Sequence, residues 1–171
     1  MRRLVVALSI CSGFLLLSPL FPQPPGTTAE AAGPVSPIFK VGIPEGYRGW
    51  ALVAPSHRTD NKDELRSILA NPVAYKALRK GTLPLPDGSI LAKLAWVREP
   101  MGEFPGAYRP GASPRLEFMV KNSKKYASTG GWGFGRFVDG KPASEETHKT
   151  CFPCHESNVK DHDFVFTRFA P

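Results

Sequence analysis

The apolar residues of this chain recur in short runs that predict several brief strands and few helices. Runs at 49–54, 90–97, 116–120 and 132–138 are rich in apolar residues or alternate them with others, which is typical of strands. A run at 164–169 alternates aromatic residues with other types and predicts a final strand. No internal repeat is visible. The pattern predicts an α+β fold that is mainly β.

Capping residues indicate where the helices begin. Asn71 stands before a proline as an N-cap does, and Gly81 would end the same helix, which predicts a helix over 72–80. Ser144 is placed to cap a second helix. The polar stretch at 58–64 is predicted as a loop.

The N-terminus has the pattern of a secretion signal. Two arginines precede an apolar stretch at 4–17, and a small-x-small cleavage site ends at Ala31. The apolar stretch is too short for a membrane span. We therefore predict a secretion signal over 1–31, a proline-rich flexible lead-in over 32–42, and one domain over 43–171. The mature protein is expected in the periplasm, without a membrane span.

Composition adds little beyond a basic surface. The chain is 42% hydrophobic and 22% charged, as in ordinary globular proteins, and its net charge is +7. No Lys/Arg run is long enough for a nucleic-acid interface, so no nucleic-acid partner is predicted. The charge is interpreted first as a solvated basic surface, and second as an attraction to an acidic redox protein.

Residues 151–155 read Cys-Phe-Pro-Cys-His, the Cys-x-x-Cys-His pattern that attaches c-type haem. Two thiols one helical turn apart can each form a thioether with a haem vinyl group, and the adjacent imidazole can bind the iron. The alternatives are a disulfide or half of a zinc site, but no second Cys pair completes a zinc site. The motif predicts one covalent haem c held by Cys151 and Cys154, with His155 on the iron.

Lys93 is the only charged residue in its apolar run. Strand alternation places it on the same face as Leu91 and Ala95. Burial of an ammonium lowers its pKa toward the neutral, nucleophilic amine. The alternative is a lysine on an edge strand that reaches solvent.

Glu117 shares a strand face with Arg115 and Met119 by the same alternation. Pattern alone favours a solvated face there. Arg66 follows an acidic stretch, and its simplest interpretation is a surface ion pair of little energetic worth.

Two further features leave alternatives open. Gly131, Gly133 and Gly135 would share one strand face, which allows close approach either by haem or by tight packing. Several residues are possible sixth ligands of the iron, and none is singled out: Met101, Met119, His57, His148 and His162.

Seven segments of the chain, taken in the order in which they occur along it, resemble the cytochrome P460 family, which includes the cytochromes c′-beta. The resemblance extends from about residue 44 to the C-terminus, and Asn71 stands where the family has Asp. The segments that carry it are Tyr47-Arg48-Gly49-Trp50, Arg66 with Asn71-Pro72 and Tyr75, the Asp87–Lys93 turn and strand, Leu116-Glu117, Val120-Lys121-Asn122-Ser123, the Cys-x-x-Cys-His motif, and 164–169.

The resemblance implies a small antiparallel sheet with haem c packed against it, often in a homodimer. It also implies a five-coordinate iron with one open face. Lys93 aligns with the lysine that bonds covalently to the haem ring, and Glu117 aligns with a carboxylate of the pocket. Arg66 is expected on the same open side.

The resulting prediction is a periplasmic haem c oxidoreductase that converts hydroxylamine to nitrogen oxides, with Glu117 as base and Arg66 beside it. Its electrons would pass to a redox partner protein. The alternatives are a cytochrome c′-beta-like protein that binds nitric oxide without turnover and, less favoured, a simple electron carrier.

Overall fold

The protein was analysed as a computed structural model that describes residues 33–171. The predicted secretion signal at 1–31 lies outside this part of the chain. The described residues form one antiparallel sheet in the order β1-β2-β3-β5-β6-β7, with β4 paired to β3 alone. The strands are β1 Ala51–Arg58, β2 Glu64–Ala70, β3 Ile90–Pro100, β4 Tyr108–Pro110, β5 Arg115–Lys121, β6 Trp132–Val138 and β7 Lys141–Pro142. The predicted α+β fold, mainly β, is confirmed.

Three short helices accompany the sheet, and two begin at the predicted caps. They are α1 Pro72–Arg79, α2 Glu145–Lys149 and α3 Cys151–Val159. Asn71 Oδ1 accepts a hydrogen bond from Ala74 N at 3.0 Å, and Ser144 Oγ accepts one from Thr147 N at 3.2 Å. These bonds satisfy backbone donors that the first helical turn leaves free. No helix within residues 33–171 is long and apolar enough to cross a membrane.

The two faces of the sheet support separate clusters. One face packs against α1, α3 and the C-terminal segment, and its buried members include Ile68, Leu91 and Trp132. The other face packs against the residues before β1, with Phe118 and Phe137 among its buried members. The attachment motif therefore lies on the first face.

The glycines of β6 belong to the second face. A Cβ added at Gly133 would overlap the Tyr126 ring, and one added at Gly135 would lie 2.9 Å from Val41 Cγ1. Close packing of these side chains against the strand therefore explains the glycine pattern, and approach of haem does not.

Two sequence-based expectations are corrected. The strand β2 was missed, because Glu64 and Arg66 interrupt its apolar pattern; both lie on the first face of the sheet, together with Ile68. The last strand predicted at 164–169 does not form. Two of its backbone carbonyls accept hydrogen bonds from side chains instead of from another strand. Phe164 O accepts one from His155 Nδ1, and Val165 O accepts one from Arg168 Nη1.

The segment 32–42 was expected to be a flexible lead-in. In the structure, Ser36 and Val41 are buried, and Ser36 Oγ donates to Phe134 O at 2.9 Å. Val41 also packs with the cluster on the second face. The packed part of the chain therefore begins before residue 43.

Candidate functional site

A cavity of about 1,080 Å³ lies between α3 and the first face of the sheet. Cys151, Cys154 and His155 line it from the helix. Cys151 is half-buried, Cys154 is exposed, and both thiols are free. Burial raises the pKa of Cys151. The helix thus presents the two thiols and the imidazole of the motif to one space.

His155 is held in one orientation. Its Nδ1 lies 2.7 Å from Phe164 O. Because a carbonyl can only accept, Nδ1 carries the proton and Nε2 keeps its lone pair for a metal. The rings of Phe134 and Phe166 lie 5.0 and 4.9 Å from the imidazole. Burial lowers the pKa of His155, which favours the neutral form that binds metals.

Lys93 and Glu117 form the centre of the opposite wall. They are directly paired across β3 and β5, and the Lys93 ammonium contacts Glu117 Oε2. Lys93 lies on a central strand, so it is not the edge-strand lysine of the alternative interpretation. Glu117 is 13% exposed, which excludes the solvated face that pattern alone favoured. Both side chains therefore face the cavity as an ion pair.

Arg136 holds the other oxygen of Glu117. Its Nε donates to Oε1 at 2.6 Å, and Arg115 Nε lies 3.4 Å from the same atom. Burial alone would raise the pKa of Glu117, but the charges of Lys93 and Arg136 outweigh burial and lower this pKa to about 2. Burial lowers the pKa of Lys93, while Glu117 opposes that shift. Glu117 is thus ionised at neutral pH, and its charge favours the ammonium form of Lys93.

A second carboxylate, Glu64, extends the group of charged residues on the sheet side of the cavity, here called the charged wall. Glu64 accepts from Arg115 Nη2 at 2.7 Å and from Arg66 Nη2 at 2.8 Å. Burial would raise the pKa of Glu64, but its hydrogen bonds to Arg115 and Arg66 lower this pKa to about 2. Arg66 is only 17% exposed, so its ion pair is not the surface pair first considered. Arg115 joins the two carboxylates into one network.

The possible sixth ligands separate into two groups. Met119 and His57 line the cavity, although His57 Nε2 lies 2.8 Å from Asp63 Oδ1. His148 is engaged on both ring nitrogens, by Arg136 N and Ser144 O. His162 Nδ1 lies 2.8 Å from Val165 O. Met101 is not among the residues that line the cavity.

These residues fit a covalently held haem. The cavity is at the upper end of the sizes that hold small molecules and cofactors. Glu117 Oε2 is buried, and the Lys93 ammonium is the group that lies against it. Within residues 33–171, no three His, Cys, Asp or Glu side chains are grouped to hold a metal ion, which weighs against the zinc alternative. Haem iron needs only the one imidazole from the protein.

The structure brings together all six residues predicted for the site, which are Cys151, Cys154, His155, Lys93, Glu117 and Arg66. It adds Arg115, Arg136 and Phe134, which line the same cavity, and Glu64, which is hydrogen-bonded to Arg115 and Arg66. Arg115 had been placed on the face of Glu117, and alternation within β6 would have placed Phe134 and Arg136 together. The strand register that joins these faces was the missing information.

Comparisons with known proteins agree with this geometry. A family model described as Cytochrome P460 matches residues 44–167, which is most of the chain. None of the curated proteins compared with the chain matches it. The matched region includes the attachment motif and the charged wall.

Proposed function

Since the chain belongs to the cytochrome P460 family, a family of haem-binding cytochromes, we propose that it is a periplasmic mono-haem c cytochrome that oxidises hydroxylamine to nitrogen oxides. The observation that carries this proposal is the position of Lys93 and Glu117 in the cavity that also holds Cys151, Cys154 and His155. A simple electron carrier would not require a lysine and a buried carboxylate in that place.

The wall of the cavity formed by α3, here called the helical wall, would hold the cofactor. Cys151 and Cys154 would form the two thioethers, and His155 Nε2 would bind the iron, because Phe164 O already fixes the imidazole through Nδ1. A haem held there would supply redox chemistry, and the electrons taken from the substrate would leave to a redox partner protein.

Lys93 is proposed as a further covalent link to the haem ring. Its Nζ becomes nucleophilic once it loses a proton, which burial favours. The new bond replaces one N–H and one C–H bond, so two protons leave and two electrons pass to an oxidant such as peroxide. A ring substituent of this kind alters the electronics of the macrocycle.

Glu117 gains a function from the same bond. As long as the Lys93 ammonium lies against it, a carboxylate with a pKa of about 2 is a weak base. Uptake of Nζ into a bond would remove the largest charge that lowers the pKa of Glu117, so this pKa would rise, opposed by the charges of Arg136 and Arg115. The carboxylate can accept protons from hydroxylamine, while Arg136 still holds it in place. Arg66 contributes charge only, because Glu64 holds its guanidinium.

One observation favours a second candidate, a protein that binds nitric oxide without turnover. Glu117 stabilises Lys93 as an ammonium, and an ammonium cannot attack the ring. If that ion pair persists with haem in place, the lysine stays unreacted and the carboxylate stays a weak base. The homodimer implied by the resemblance stays a prediction, to be tested by sedimentation.

Turnover separates the two candidates. The purified holo-protein is mixed anaerobically with hydroxylamine and an oxidised electron acceptor, and both hydroxylamine loss and acceptor reduction are followed. We expect them to proceed together and to require haem, so the Cys151→Ala/Cys154→Ala variant should show neither. Nitric oxide binding without acceptor reduction by hydroxylamine would contradict the enzymatic proposal and support the second candidate.

A further inference from the structure

The turn that carries Phe164 O is the part of the molecule on which the orientation of His155 depends. Asp163 and Phe164 are consecutive non-glycine residues with positive φ, at 49° and 60°. Each such conformation costs free energy and persists only where the surroundings impose it. The turn is therefore held by contacts outside itself.

Asp163 receives most of those contacts. Its Oδ1 accepts from Lys121 Nζ at 2.6 Å and its Oδ2 from Leu85 N at 2.8 Å. Its carbonyl accepts from Trp132 Nε1 at 2.8 Å. The side chain is 6% exposed, so both charges of the ion pair are desolvated. Three distant parts of the chain thus converge on this one residue.

Lys121 is fixed as firmly as its partner. Its side chain is 7% exposed, its ammonium donates to Gly130 O at 3.1 Å, and it lies 4.8 Å from the Trp132 ring centroid. The Phe164 ring packs against Gly130 so closely that a Cβ at Gly130 would overlap it. The backbone of the turn is therefore confined by charge on one side and by packing on the other.

We propose that Lys121 and Asp163 are positioning residues that set the bond between His155 and the haem iron. They hold the turn so that Phe164 O accepts the Nδ1 proton at 2.7 Å, which makes the imidazole a stronger donor to the metal. This inference rests on the proposed haem c with His155 as axial ligand. It concerns the strength of that bond and does not depend on hydroxylamine as the substrate.

The test uses the holo-protein and its Asp163→Asn variant. Asparagine tolerates the left-handed conformation and keeps an oxygen for Leu85 N, but it removes the negative charge. Lys121 keeps Gly130 O and the Trp132 ring as partners, so the variant is expected to fold. A Lys121→Met/Asp163→Asn variant removes both buried charges and provides a second, independent variant.

Two measurements follow: the iron–histidine stretching band of the ferrous protein and its reduction potential. We expect the iron–histidine band to move to lower frequency and the reduction potential to rise. The rise is about 59 mV for each tenfold decrease in the equilibrium constant that favours the ferric over the ferrous protein. Both shifts should be larger in the double variant. The control Asn71→Ala removes the cap of α1, whose hydrogen bonds go to Ala74, Gly88 and Ile90 and not to the turn, and it should leave both unchanged.

An unchanged band and potential in whichever of these two variants folds would overturn the proposal. Failure of the haem assignment has a different signature, since the wild-type protein would then show no iron–histidine band. A Lys121→Arg variant, which keeps the charge, should retain the wild-type band; a shift as large as that of Asp163→Asn would also overturn the proposal.

Discussion

The two walls of the cavity are built in opposite ways. On the helical wall, Cys151, Cys154 and His155 lie within one helix, so local spacing alone brings them together. On the sheet wall, Lys93 and Glu117 come from different strands and meet only through the register of β3 and β5. The helical wall provides attachment, and the sheet wall provides charge. A local motif predicts its ligand, whereas a charge cluster depends on pairing between distant segments.

The largest effect is expected on the helical wall. The Cys151→Ala/Cys154→Ala variant should lose covalent haem completely, because no other free thiol lies in residues 33–171. Acid–acetone extraction should then remove any haem that still associates, whereas the wild-type protein should retain it. Ser157→Ala, an exposed change on the same helix, is the control. Haem that stays on the double variant after extraction would contradict the assignment of the attachment site.

The next effect tests the sheet wall alone. Glu117→Gln should lower the rate of hydroxylamine oxidation by roughly 10²- to 10⁴-fold, the usual contribution of a general base, while haem attachment stays intact. The matched change Glu64→Gln alters a carboxylate of the same network that lies against Arg66 and Arg115, and it should lower the rate less. Equal rates in Glu117→Gln and wild type would remove Glu117 from the mechanism.

A smaller effect concerns the pH dependence of stability. The folded protein lowers the pKa of Glu64 from 4.5 to about 2, so this carboxylate binds a proton less readily folded than unfolded. Its contribution is therefore complete above pH 4.5 and lost as the pH falls toward 2. The free energy of unfolding, measured with denaturant at several pH values, should include a loss of about 3 kcal/mol over this pH range. That part of the loss should be absent in Glu64→Gln. The same slope in both proteins would contradict this account.

The smallest effect tests whether the open face lacks a protein ligand. Met119 lines the cavity, so it is the methionine that a simple electron carrier would use as sixth ligand. With an open face, Met119→Leu should leave the spin state of the iron and the binding of carbon monoxide unchanged. A low-spin spectrum in the wild type that becomes high-spin in Met119→Leu would favour the electron carrier.

Sequence reasoning predicted the helical wall and part of the sheet wall. The cap at Asn71 and the strands β3, β5 and β6 followed from local patterns, and so did the attachment motif. Strand β2 was missed, because Glu64 and Arg66 lie on its inward face and break the apolar pattern. The C-terminal segment was wrongly predicted as a strand, since side chains take its backbone carbonyls. A local pattern does not show which strands will pair, and it does not show which side chains will hydrogen-bond to the backbone of a distant segment.

The chemical state of Lys93 decides between the enzyme and the nitric oxide-binding protein. Tryptic digestion of the holo-protein, followed by mass spectrometry, shows whether the peptide that contains Lys93 is linked to the haem-bearing peptide of Cys151 and Cys154. We expect a linked peptide, with the mass of the two peptides plus haem less two hydrogens. Quantitative recovery of the Lys93 peptide free of haem would contradict it and leave the nitric oxide-binding protein as the better description.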